Sequence, residues 1–285
     1  MCGRFASARK RIELLEEFDV QRDRVGADRE ADYNVAPTKP VYAVLTRRHE
    51  PTESAAAAAG EQPGPERELR VVRWGLVPFW AKDPAIGSRM INARAETLAE
   101  KPAFRRAFSR RRCLLPADGF YEWQAPANGG KRKQPYYIYR TDGGVLAFAG
   151  LYELWRDPSV PDDQDGAWLW TATIITTSAP DEVGKIHDRM PMVVGRSSWD
   201  GWLDPDNNEV SDMSGLLVPA AASGLTSHPV STAVNNVRNN GPELVEELTD
   251  QDPGPGSSSL PQSRPGPSGE HPPDGATADS GGTLF

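Results

Sequence analysis

Cysteine is nearly absent: Cys2 and Cys113 are the only two in 285 residues. Two thiols cannot build a disulfide framework, nor a cysteine-based zinc site, which needs about four Cys or His ligands close in space. Only four histidines accompany them, and no motif calls for a metal or another cofactor. Long apolar runs are missing as well. Nothing approaches the roughly 18 residues that span a bilayer, and Met1-Cys2-Gly3-Arg4-Phe5 lacks the apolar stretch of a signal peptide, so a cytoplasmic protein without membrane contact is expected. There is no GxGxxG, no P-loop and no regular strand–helix alternation, which removes support for dinucleotide and NTP folds. Positive charge is in deficit, with a formal net charge of −8. Spread evenly, that balance would argue against nucleic acid, because phosphates are held by clustered Lys and Arg.

The charge is not spread evenly. Arg105, Arg106, Arg110, Arg111 and Arg112 crowd one segment, and Lys131, Arg132 and Lys133 another. Residues 249–285 are rich in Gly, Pro and Ser and carry Asp250, Asp252, Glu270, Asp274 and Asp279 against Arg264, the composition of a disordered acidic tail. A second stretch, 50–67, runs through consecutive alanines into Gly-Glu-Gln-Pro-Gly-Pro and reads as a flexible insertion, an Ala-rich helix being the alternative. The remainder of 2–248 reads as one domain.

Within it, strand signals dominate: Val41–Leu45, Leu69–Trp74, Cys113–Pro116, Tyr136–Tyr139, Val145–Ala149 and Trp168–Thr176. Helical spacing is confined to Arg9–Phe18, Ala95–Phe108, Pro180–Lys185 and Ser198–Leu203. The pattern predicts an α+β domain with a barrel-like, mainly antiparallel β-sheet core and flanking helices.

Cys2 is the most informative position for chemistry. Methionine aminopeptidases remove Met1 when the second residue is small, which leaves an α-amine and a thiol on one residue. Such an amine has an ordinary pKa of about 7.7–8.0, against about 10.4 for lysine, so part of it is a neutral nucleophile near pH 7. It attacks an aldehyde to give an imine, and the thiol then closes a five-membered thiazolidine, a step closed to lysine and to an internal cysteine such as Cys113. Glu122, between Tyr121 and Trp123, is a carboxyl in aromatic surroundings, where a raised pKa suits proton transfer; a solvent-facing strand glutamate is the plain alternative. His187, in Lys185-Ile186-His187-Asp188-Arg189-Met190-Pro191, is a candidate acid or base near neutrality, although a lone histidine is more often structural. His228 fits packing or a phosphate contact. The run Trp74–Trp80 followed by Ser88–Thr97 supplies aromatic rings, amides and guanidinium groups of the kind that meet unpaired bases and phosphates, or an ordinary aromatic core with a helix cap.

Taken together, Met1–Phe5, Tyr33-Asn34-Val35-Ala36-Pro37, Trp74–Pro78, Ile91-Asn92-Ala93-Arg94-Ala95-Glu96, Asp118–Trp123 and Ile186–Pro191 resemble the SRAP (SOS response-associated peptidase) family, in the family's order, with His228–Ser231 and Val234–Arg238 continuing the match. The resemblance implies a single SRAP domain over 2–248 that binds abasic sites in single-stranded DNA and cross-links to them through Cys2. It implies that Asn92 orients the reacting end, that Glu122 transfers protons and that His187 assists as acid or base. Arg4, Asn34, Trp74, Arg94 and Arg189 are then the expected DNA-binding residues, with Arg94 as phosphate ligand and Trp74 in the groove. A monomer acting at damaged nucleoid DNA follows from the same resemblance.

Two other readings stay open. Cys2 and His187 could form a thiol peptidase pair, including one that removes Met1, and the imine could drive weak strand cleavage. Alternatively, the chain could bind damaged or modified DNA reversibly, with Cys2 incidental.

Overall fold

Strands that are apolar on both faces need two covers, and this chain supplies them by rolling one sheet into a barrel and packing helices outside it. The computed structural model describes residues 2–48, 64–127, 129–161, 164, 166–209, 215–216 and 224–249. The expected tail after residue 249 and most of the expected insertion lie outside these residues. The elements begin with β1 (Phe5–Ser7), α1 (Arg11–Glu17), β2 (Arg22–Asp23), β3 (Asp32–Val35), β4 (Pro40–Arg47), β5 (Glu66–Trp74) and β6 (Asn92–Arg94). They continue with α2 (Arg105–Arg110), β7 (Arg112–Ala117), β8 (Gly119–Gln124), β9 (Gln134–Arg140), β10 (Leu146–Arg156) and β11 (Trp168–Ser178). The last are α3 (Asp181–Ile186), β12 (Arg189–Pro191), α4 (Trp199–Leu203) and β13 (Leu225–Pro229), with short 3₁₀ turns between several of them.

The barrel runs β5–β4–β7–β10–β11 through antiparallel pairs and closes where β11 returns beside β5 in parallel, with Thr171 opposite Arg73 and Ala172 opposite Trp74. Because side chains alternate along a strand, Val41, Ala43, Leu45, Val72, Trp74, Cys113, Leu115, Phe148, Ala172 and Ile174 gather in one cluster. Their neighbours Tyr42, Val44, Leu69, Leu114, Ala147, Ala149 and Ile175 form the second cluster, with Leu14 and Phe18 of α1, Phe108 of α2 and Trp199 and Trp202 of α4. Burial on both faces explains the unbroken apolar runs in the sequence.

A second sheet, ordered β3–β1–β8–β9–β13, covers one end of the barrel. Phe5 of β1 meets Trp74 edge-on at 5.1 Å between ring centroids and Phe148 at 5.9 Å, and Phe120 meets Phe148 at 6.0 Å. That aromatic plug joins the sheet to the barrel. Arg112, at the start of β7, is buried without a carboxylate partner in any ion pair among the described residues. Its guanidinium donates to the carbonyls of Phe108, Ser109, Trp202, Asp204 and Asn207, stapling the ends of α2 and α4, and burial pushes its pKa down to about 10.

Two expectations need correction. The helix expected over 95–108 is helical only at Arg105–Arg110, the residues before it forming turns, because Pro102 cannot sit inside a helix without losing a hydrogen bond. The end of the expected insertion is strand: Glu66 and Arg67 belong to β5, opposite Arg47 and Thr46.

Candidate active site

The amino-terminal residues enter just ahead of β1, which lies between β8 and β3. Phe5 pairs with Phe120 and Ala6 with Gly119, so the antiparallel register carried back toward the amino terminus brings Gly3 opposite Glu122 of β8. Cys2 is fully buried, and its Sγ lies 3.8 Å from the Arg4 carbonyl, which also accepts the Tyr121 N–H at 3.0 Å. The chain reaches this point from the other side through Gly75, whose φ of 125° is a backbone state that glycine adopts freely. A Cβ there would stand 2.5 Å from the Gly87 carbonyl oxygen. The 75–91 segment folds back on itself at that contact and delivers β6, which lies parallel to β11 with Asn92 opposite Ile174.

Asn92 Nδ2 donates to the Cys2 carbonyl at 2.8 Å. Its other polar atom, Oδ1, is buried with no hydrogen-bond partner among the described residues. Glu122 is buried, which raises its pKa to about 7, while the positive charge of the amino terminus opposes the shift. Cys2 responds to the same surroundings: burial pushes its thiol well above the usual range, the Glu122 charge adds to this, and the thiol stays neutral.

His187 follows α3 as its first non-helical residue. This helix packs on β8, where Gln124 Nε2 donates to Lys185 O at 3.1 Å, so His187 and Glu122 occupy neighbouring elements. The Arg189 backbone N–H donates to His187 Nδ1 at 3.0 Å, which assigns the proton of the neutral ring to Nε2. The Asp188 carboxylate stands 3.0 Å from the same nitrogen and favours the charged ring. Burial and then the amino-terminal charge outweigh it and lower the His187 pKa. The site thus brings together a residue-2 thiol, an amide on its carbonyl, a carboxyl that titrates near neutrality and an imidazole kept neutral. Among the described residues, no group of three His, Cys, Asp or Glu side chains is placed to hold a metal ion.

The expected DNA-binding residues divide differently. Arg94 is exposed and, two residues along β6, projects from the same face as Asn92. Trp74 does not line a groove: it is fully buried and its Nε1 donates to Ile91 O at 2.9 Å. Asn34 is also fully buried, its Oδ1 accepting from Arg4 Nη1 at 2.6 Å and its Nδ2 donating to the carbonyls of Val234, Asn236 and Asn239 at 3.3, 3.1 and 2.9 Å. Arg4 adds a bond to Val234 O at 2.7 Å and lies over the Trp123 ring, so Arg4 and Asn34 hold the 234–239 loop in place. Arg189 is engaged by both oxygens of Glu96, at 2.5 and 3.0 Å, and by Thr176 O at 2.7 Å. His228 packs: Nε2 lies 2.8 Å from Val245 O, and its ring meets Tyr137 and Tyr139.

The aromatic surface lies a few residues past Trp74. Phe79 and Trp80 are 48% and 51% exposed, Arg106 lies 4.4 Å from the Phe79 centroid, and the Trp155 indole pins the segment by donating to Ala81 O at 2.7 Å. The alternation that buries Val72 and Trp74 signals that Trp74 faces inward. No periodicity continues beyond Gly75 to mark Phe79 and Trp80 as exposed.

Residues 1–237 match the family described as SOS response associated peptidase (SRAP). Over 246 residues the chain is 38% identical to the abasic site processing protein YoqW of Bacillus subtilis, spanning 86% of this chain and 99% of that one. The abasic site processing protein YoaM of the same organism is 37% identical over 246 residues, spanning 86% and 98%. A crystal structure of a protein from Bacteroides thetaiotaomicron superposes with a TM-score of 0.69 at 25% identity, covering 87% of this chain and 100% of that one.

Proposed function

The chain belongs to the SRAP family, and from that premise we propose that it processes abasic sites in single-stranded DNA by forming a covalent thiazolidine through Cys2 once Met1 has been removed. One observation carries the reading: Asn92 Nδ2 on the Cys2 carbonyl at 2.8 Å, beside a Glu122 carboxyl whose pKa of about 7 lets it take and return a proton at neutral pH.

The ring-opened abasic sugar presents an aldehyde. The neutral Cys2 amine adds to its carbon, and the carbinolamine loses water to give the imine, with Glu122 and His187 delivering and removing the protons. The neutral thiol then adds across the C=N bond: sulfur bonds to carbon, the thiol proton is passed on, and nitrogen ends as the secondary amine of the ring. One water leaves, and no oxidant or reductant is needed. The spare Oδ1 of Asn92 is an acceptor suited to an N–H of the freed amine. Arg94 serves as phosphate ligand, and Phe79 and Trp80, with Arg106 beside them, provide rings for unpaired bases. The protein acts as a monomer at the lesion. The imine is also the branch point for β-elimination, so slow strand cleavage accompanies capture.

Intact-mass spectrometry of denatured protein mixed with a single-stranded oligonucleotide carrying one abasic site tests this without any reductant. The expected species is the chain lacking Met1 plus the oligonucleotide minus one water, absent for Cys2→Ala. A heat-stable adduct of Cys2→Ala would overturn the assignment.

A further inference from the structure

The burial of Trp74 gives it a different task from stacking on a base. We propose that Trp74 is a positioning residue for the Cys2 reaction, acting through Asn92 by fixing the peptide carbonyl that precedes it. The inference rests on the reading of Cys2 given above.

The Ile91 carbonyl accepts two hydrogen bonds, from Trp74 Nε1 at 2.9 Å and from the Ile174 N–H at 3.0 Å. With both lone pairs engaged, the peptide plane before Asn92 cannot tilt, and the direction in which the Asn92 side chain leaves the backbone is set. That side chain then reaches the Cys2 carbonyl at 2.8 Å. The indole is itself immobile. It is fully buried, and the Trp74 main chain that carries it is tied on both sides, the backbone N–H donating to Lys39 O at 2.9 Å and the backbone C=O accepting from the Thr38 N–H at 2.8 Å. Its edge contact with Phe5 brings it against the strand that carries Cys2. One ring therefore touches the residue before Asn92 and the strand that begins three residues after Cys2. Trp199 and Trp202 also place their N–H groups on backbone carbonyls, those of Val194 and Cys113 at 2.9 Å, but neither carbonyl precedes a residue that reaches Cys2. Misplacement of a reacting group by about 1 Å costs on the order of 100-fold in rate.

The test compares Trp74→Phe with Trp199→Phe, a matched loss of one buried indole N–H away from the site. Three quantities are read: single-turnover adduct formation at saturating abasic oligonucleotide, affinity for the undamaged oligonucleotide of the same length, and melting temperature. Both variants are expected to lose thermal stability, whereas only Trp74→Phe slows adduct formation, by roughly 10-fold or more, with affinity unchanged. Combining it with Asn92→Ala is expected to add no further loss, because the two act through one contact. A Trp74→Phe rate equal to that of Trp199→Phe, or full additivity with Asn92→Ala, would overturn the proposal. So would weakened affinity with an intact rate at saturation. If Trp74→Phe does not fold, benzothienylalanine at position 74, which keeps the ring volume and lacks the N–H, is held to the same criteria. Failure of the wild-type protein to form any adduct would remove the Cys2 reading and this proposal together; a wild-type adduct with an unaffected position-74 variant would remove this proposal alone.

Discussion

Cys2 and Glu122 share a buried setting in which ionising is costly: burial holds the Cys2 thiol neutral, the Glu122 charge adds to this, and burial lifts the carboxyl itself to about 7. In the reaction proposed above the amine and not the thiolate is then the first nucleophile, and the carboxyl is the group whose charge changes near neutrality.

A stability signature accompanies that carboxyl. The folded pKa of about 7 lies above the ordinary 4.5, so the native state favours the protonated form. The benefit is complete below 4.5 and is lost as pH rises through 7, about 3 kcal/mol across the window. Glu122→Gln is expected to melt higher than wild type at pH 8, to lose that advantage toward pH 4, and to form adduct 100-fold or more slowly, the order expected for a lost acid–base group at about 10²–10⁴. Melting curves from pH 4 to 8 beside single-turnover rates check it.

Asn92→Ala leaves the Cys2 carbonyl without its side-chain donor. Adduct formation is expected to slow by about 10- to 100-fold while affinity for undamaged single strands stays within twofold, since in the proposed reaction Asn92 places Cys2 and not the strand. Quenched-flow rates and fluorescence anisotropy separate the two.

Phe79→Ala and Trp80→Ala should do the reverse. Each is expected to weaken single-strand binding by about 1–3 kcal/mol with little change in melting temperature, because both rings are about half exposed. The adduct rate at saturating DNA is expected to be retained.

Asn34→Ala should unfold the protein more readily without touching chemistry directly. It strips one donor group from three backbone carbonyls and the acceptor from Arg4, all beneath the 234–239 loop. A loss of about 2–3 kcal/mol in denaturant titration is expected, the range for buried polar groups left unpaired.

Arg112→Met should cost at least as much, about 3 kcal/mol, since the carbonyls of two helix ends lose their common donor. Hydrogen exchange is expected to rise first in α2 and α4.

Much of this architecture can be read from the sequence because its barrel strands carry apolar runs buried on both sides. The runs at 41–45, 113–116 and 145–149 reappear in β4, β7 and β10. The parallel seam between β5 and β11 is not legible, because it joins segments nearly a hundred residues apart without a local signal. Around the site, Glu122 is a carboxyl in an aromatic strand, and burial follows from that setting. Asn34 and Arg4 could not be separated from DNA ligands by composition, since their partners lie 200 and more residues away. The helix over 95–108 fails at Pro102, a breaker visible in the sequence, and only Arg105–Arg110 beyond it is helical.

The bond between Arg4 and the Val234 carbonyl joins residues 230 positions apart, and this sets an order of events during synthesis. Arg4 is synthesised 230 residues ahead of the loop whose carbonyl it holds. At about 5–20 residues per second the interval is on the order of 10–50 s. Throughout it Arg4 and Asn34 lack the 234–239 carbonyls that they hold in the finished fold. On the reaction proposed for Cys2, capture of a lesion is therefore expected of the completed chain and not of a nascent one.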